Sequence, residues 1–151
     1  LNLATVLRSH MRGSDCRVFA VDMKLKVEKA EACYYPDLMV TCEASAAKSV
    51  YKTSPVLIVE VLSPSTELID RREKLAAYLS LETLREYVLI AQDEKRIDLY
   101  RRGAEGKIHI EILGQNDPLR LESLPNGQLT LTMDEIYEGV TFDQTPTPQA
   151  E

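Results

Sequence analysis

Between Arg17 and Val27 the sequence "RVFAVDMKLKV" alternates, with Phe19, Val21, Met23, Leu25 and Val27 on one face and Asp22, Lys24 and Lys26 on the other. That period of two predicts a half-buried strand. A second strand is predicted over "CYYPDLMVTC", residues 33–42, where Pro36 requires a missing ladder N–H and therefore a strand start or an edge. The third, "SPVLIVEVLS", is different. From Val56 to Leu62, Val, Leu and Ile run without alternation, as in a strand buried on both faces, and Glu60 alone breaks the run. An ionised carboxylate buried without a partner costs several kcal/mol or takes up a proton, so Glu60 demands a cation, a donor or a metal.

Around these strands the pattern changes to helical spacing. "NLATVLRSHMR" places Leu3, Val6 and Leu7 on one stripe and stops at Gly13, which predicts a short helix. "DRREKLAAYLSL" predicts another over 70–81, with Asp70 as N-cap and Glu73 three residues later in a capping-box arrangement. "EYVLIA" and "RIDLYRR" read as strands joined by a "QDEK" hairpin turn, and "KIHIEIL" as a further alternating strand. "PNGQLTLTMDEIYEG" holds a turn, a short strand and a helical turn over 133–137. The polar, proline-bearing end "DQTPTPQAE" predicts a flexible tail over 143–151. The order α-β-β-β-α-β with additional C-terminal strands makes this an α/β (mixed α+β) chain, with one domain over 1–142.

Composition narrows the class. Apolar residues at 44% and charged residues at 28% are ordinary globular values. No apolar run approaches the roughly 20 residues that span a bilayer, so the expectation is a soluble protein. The opening "LNLATVLRSH" has neither an initiator Met nor a charged-then-apolar leader, which suggests a truncated N-terminus. Cys16, Cys33 and Cys42 are odd in number and lack C-x-x-C spacing, which predicts reduced, buried thiols in a cytoplasmic protein. The net charge of -6 argues against a generally basic nucleic-acid-binding surface. Yet the acidity is C-terminal: residues 103–151 carry two basic against nine acidic residues, while the rest is balanced. A local basic face remains compatible with that distribution.

Asp37 is a second acid in a mostly apolar strand, "YYPDLMV". If its strand pairs with that of Glu60, the two carboxylates approach across the sheet. Close carboxylates repel unless a divalent cation sits between them, and hard oxygen ligands suit Mg²⁺. The absence of a His or Cys cluster argues against zinc. Lys74 falls on one helical stripe with Ala77, Tyr78 and Leu81, so this lysine interrupts an apolar face that points toward the sheet. Plainer readings stand beside these. Glu60 could be a structural carboxylate paired with a cation, Asp37 a turn residue, Asp70 a cap and Tyr78 core. Lys74 could snorkel at the helix edge or pair with Asp70. His10 and His109 have no partner pattern and receive no role.

The blocks "YYPDLMV", "PVLIVEVLSPST" and "DRREKLAAYL...REYVLI" resemble the Uma-type (Uma two) family of restriction-endonuclease-like proteins, within the PD-(D/E)XK nuclease superfamily. The resemblance covers residues 15–140, and "VEVLSPST" is its most specific part. It implies a restriction-endonuclease-like αβββαβ core, which agrees with the element order read from the residues. It also implies that Asp37, Glu60 and the carbonyl of Val61 ligate Mg²⁺ or Mn²⁺ for hydrolysis of DNA. Where the D/E-X-K pattern has lysine, two residues after Glu60, this chain has Leu62, so the resemblance puts the lysine's role on Lys74. Val88 stands where a Trp is common in the family, a packing change.

The resulting expectation is a divalent-metal-dependent DNA endonuclease with Asp37, Glu60 and Lys74 as its catalytic residues. A homodimer would let two such sites address two strands, though no residue pattern demonstrates one. The acidic net charge and the missing E-X-K lysine support the competing expectation, a catalytically inactive nucleic-acid- or protein-binding module on the same fold. A glycosidase using paired carboxylates is a third, disfavoured by the lack of Trp and by 6% aromatic content.

Overall fold

The computed structural model describes residues 2–44, 50–63, 68 and 70–142, except for the side chains of residues 70 and 71. The expected tail over 143–151, residues 64–67 and 69 of the expected loop, and the capping role of the Asp70 side chain lie outside the described residues.

The apolar run from Val56 to Leu62 becomes the eight-residue strand β6, Pro55–Leu62, in the middle of a six-stranded mixed sheet. The sheet comprises β1 (Arg17–Ala20), β4 (Leu38–Thr41), β6, β7 (Glu86–Ala91), β8 (Ile97–Arg102) and β9 (Ile108–Leu113), in that spatial order. Only the β6–β7 pair is parallel; every other pair in this sheet is antiparallel. A parallel pair needs a crossover. The chain makes it through a π-helical turn, Asp70–Lys74, that runs into α2, Leu75–Leu79, so the helix predicted over 70–81 is shorter and begins with a widened turn.

Two expected strands are each split. The alternating stretch 17–27 breaks at residues 21–23 into β1 and β2 (Lys24–Val27), which belong to different sheets. Alternation continues across the break, so the pattern concealed it. The stretch 33–42 breaks around Pro36, which has no N–H to donate, into β3 (Ala32–Tyr34) and β4. β3, β2 and β5 (Tyr51–Lys52) form a small separate sheet, and β10 (Leu119–Leu121) pairs with β11 (Leu129–Leu131) in another. Neither β5 nor β10 was expected; two or three residues carry too little periodicity to announce a strand.

Both faces of the large sheet are covered around β6, which explains that strand's apolar run. On one face Leu57, Val59, Val88 and Leu99 join Leu3 and Leu7 of α1 (Asn2–His10) and Met133 and Ile136 of α3 (Met133–Ile136). On the other, Met39, Ile58, Leu62 and Leu89 join Ala77 and Tyr78 of α2 and Leu25 and Val27 of the small sheet. Tyr34, Tyr78, Tyr87 and Tyr100 form a chain of ring contacts there, with centroids 5.2–5.9 Å apart.

The cysteines depart from the expectation of free, buried thiols. β1 and β4 pair antiparallel with Arg17 opposite Thr41, which sets Cys16 opposite Cys42, and the two form a disulfide. Cys33 is free and exposed. No helix among the described residues is long and apolar enough to cross a membrane.

Candidate functional site

β6 outruns β4. Leu38, the first residue of β4, lies opposite Val59, so Glu60, Val61 and Leu62 extend past the end of that neighbour. Asp37, just before β4, fills the gap with its own groups. Its backbone N–H donates to Glu60 Oε1 at 3.1 Å, and its Oδ2 accepts the N–H of Val61 at 2.7 Å. N–H and C=O of one strand residue point to the same side, so the Val61 carbonyl is also directed toward Asp37.

Glu60 points to the face shared by Ile58 and Leu62, beneath the crossover, and is 2% exposed. Lys74 closes the π-helical turn over it and donates to Glu60 Oε2 at 2.9 Å. Burial pushes the Glu60 carboxyl above its ordinary pKa, and the hydrogen bond and charge of Lys74 pull back against that push. The nearby Asp37 charge raises it further, while the Asp37 N–H lowers it. The sequence-predicted residues Asp37, Glu60, Val61 and Lys74 are therefore brought together at one end of the central strands. Leu62, 5% exposed, packs in the core beside Ala77 and Tyr78, where a lysine would need its own partner.

The crossover is held from the small sheet by a contact the sequence did not announce. Tyr34 of β3 donates its hydroxyl to Glu73 Oε1 at 3.4 Å, and burial followed by the Glu73 charge raises the phenol's pKa. Glu73 was expected to close a capping box. Tyr34 was not legible as its partner because Tyr34 lies in a strand whose separation from β4 the sequence did not show.

Glu86 is another buried carboxylate, and its surroundings differ. Its Oε1 accepts the N–H groups of Glu122 and Ser123 at 2.9 and 2.8 Å, and Oε2 accepts Arg101 Nε at 3.1 Å. It is a structural tie between β7 and the segment after β10. Asp98 likewise is buried and accepts Arg96 Nε at 3.1 Å. His10, left without a role, tethers α1 through its Nε2 to the Gly127 carbonyl at 3.0 Å.

For a divalent cation, the donors at the β6 end are two carboxylates and a main-chain carbonyl, all hard oxygens. Among the described residues no group of three or more His, Cys, Asp and Glu side chains could hold a metal. Hard oxygens in that number are the ligand type that an ion of the Mg²⁺ kind takes, since it uses one or two carboxylates and completes its shell with water and substrate phosphate.

A strand-dominated mixed α+β chain with this architecture has a counterpart among solved structures. The crystal structure of a "putative nuclease" from Anabaena variabilis superposes with a TM-score of 0.71 over 89% of this chain and 75% of that one, at 15% identity, a likeness of fold alone. Residues 1–134 match the Uma2 family, described as "Putative restriction endonuclease", and the chain belongs to that family. Two proteins of Synechocystis sp., both described as uncharacterized, are similar in sequence. One, slr1290, is 35% identical over 94% of this chain and 74% of its own length; the other, sll1609, is 32% identical over 76% and 67%.

Proposed function

We propose that this protein is a divalent-metal-dependent endonuclease that hydrolyses DNA phosphodiester bonds. The observation carrying the proposal is the meeting of Asp37, Glu60, Val61 and Lys74 where β6 runs past β4. The restriction-endonuclease-like core is part of the same reading: α1, β1, β4, β6, α2 and β7 follow the order α-β-β-β-α-β if the small sheet is taken as an insertion.

Asp37, Glu60 and the Val61 carbonyl would hold Mg²⁺ or Mn²⁺. When bound, such an ion supplies Lewis-acid polarisation of a phosphoryl oxygen and acidifies water. Asp37 is kept in orientation by the Val61 N–H, and Glu60 by the Asp37 N–H. The Lys74 ammonium, hydrogen-bonded to Glu60 Oε2, would orient the attacking water and offset negative charge gathering on the phosphoryl oxygens.

Asp37→Ala and Glu60→Ala are each expected to reduce Mg²⁺- or Mn²⁺-dependent cleavage of a DNA substrate to background while far-UV circular dichroism stays unchanged. Full activity in both variants would sink the proposal. The Lys74–Glu60 ion pair favours one alternative, because it neutralises the buried carboxylate without any metal. In that reading the chain is a non-catalytic nucleic-acid- or protein-binding module. Thermal stability separates the two: a nuclease gains Mn²⁺-dependent stabilisation that Asp37→Ala and Glu60→Ala abolish, and the module does not.

A further inference from the structure

Strand β9 is the edge of the six-stranded sheet opposite β1. Among the described residues no strand pairs with its outer side. The ladder dictates which backbone groups that side presents. Arg102 N–H donates to the Arg85 carbonyl at 2.8 Å and Gly103 N–H to the Lys107 carbonyl at 2.7 Å. Even-numbered residues of β8 thus bond toward β7 and odd-numbered ones toward β9. Since Arg101 faces His109 and Leu99 faces Glu111, those two β9 residues bond inward, and Ile108, Ile110 and Ile112 turn their N–H and C=O groups outward.

The same three isoleucines share one face of the sheet, and Ile110 and Ile112 are 59% and 63% exposed. No proline, lysine or register shift blunts the strand "IHIEIL", although natural edge strands commonly carry such devices against pairing. We propose that β9 pairs antiparallel with β9 of a second copy of this chain, about a two-fold axis through Ile110.

The sequence of the strand selects that register. Outward groups sit on even-numbered residues, so only registers that set even against even can form a ladder. Sliding one such step one way sets Glu111 against Glu111, like charges opposite each other, and sliding the other way sets His109 against His109 and gives up the His109–Glu111 pair. The register centred on Ile110 does neither. It sets Ile110 on its own copy and Ile108 on Ile112 along one face, and His109 on Glu111 along the other. The contact is isologous and closes on itself, and it joins the two sheets by strand addition. It stands independently of whether the site cleaves DNA.

Sedimentation equilibrium tests it. The wild-type protein is expected at twice its 17.0 kDa chain mass. Ile110→Lys places two ammonium groups on the axis and is expected to return the monomer mass with unchanged circular dichroism. Val21→Lys, which changes another exposed apolar residue, 55% exposed and outside the strand, should leave the dimer intact. His109→Glu sets like charges opposite each other and should weaken the dimer, with recovery as salt screens them. A monomeric wild type overturns the proposal, as does an Ile110→Lys dimer or dissociation by Val21→Lys. Should Ile110→Lys fail to fold, His109→Glu decides, and an unweakened dimer overturns it.

Discussion

Glu60 concentrates the cost and the chemistry of the site in one side chain. With a folded pKa raised by burial, it contributes stability as the protonated acid, in full below its ordinary value of 4.5 and lost as pH rises through the raised folded value. Above that window the ionised carboxylate leans on Lys74. Removing one partner of a buried pair is costly because the other charge is left stranded. Lys74→Met is therefore expected to destabilise the metal-free protein by about 2–3 kcal/mol at neutral pH, below the ~3–5 kcal/mol of a fully buried pair because the Lys74 side chain is 24% exposed. The penalty should shrink as pH falls toward 4.5 and Glu60 takes up its proton. Urea unfolding of both proteins across that range measures it, and a penalty independent of pH would show that Lys74 does not act through Glu60's charge. The residues themselves signalled this much: an acid inside an apolar run and a lysine inside an apolar stripe each break a pattern that packing would otherwise impose.

At the scale of elements, legibility followed periodicity. β6 and the β7–β8 hairpin stood out because their apolar runs and turn residues leave no competing reading. The β1–β2 break did not, since Val21 and Met23 keep the alternation while the chain passes from one sheet to another. Missing that break also hid the disulfide, because only the β1–β4 register sets Cys16 opposite Cys42. The cross-link spans a sequence separation of 26 residues. By loop-closure entropy it should contribute about 3.5 kcal/mol. Cys16→Ser with Cys42→Ser is expected to lower stability by roughly that amount under oxidising conditions. Reductant should do the same to the wild type and nothing further to the double variant. Equal stability of the wild type with and without reductant would count against the cross-link as a source of stability.

For the whole molecule, the large sheet is common to both cores, so neither core can lose its packing while the other keeps its full strand support. That predicts one cooperative unfolding transition. The chain has no Trp, and four of its seven tyrosines lie in the ring chain beneath and beside α2. Tyrosine emission therefore samples chiefly the crossover face, while far-UV circular dichroism samples all strands. The two curves are expected to coincide in urea; separate midpoints would divide residues 2–142 into more than one folding unit.

A lysine two residues after the acid would be tied to it by the pleat of a single strand, at a spacing fixed by covalent geometry. Here the cation arrives on the crossover, held by Ala77 and Tyr78 in the core and by the Tyr34–Glu73 hydrogen bond. The site is thus a jaw with one half borne on the sheet and the other on the crossover. Loosening the Tyr34–Glu73 clasp or the tyrosines under α2 would part the ammonium from the carboxylate without breaking a ladder bond, so wear on the packing becomes wear on the grip.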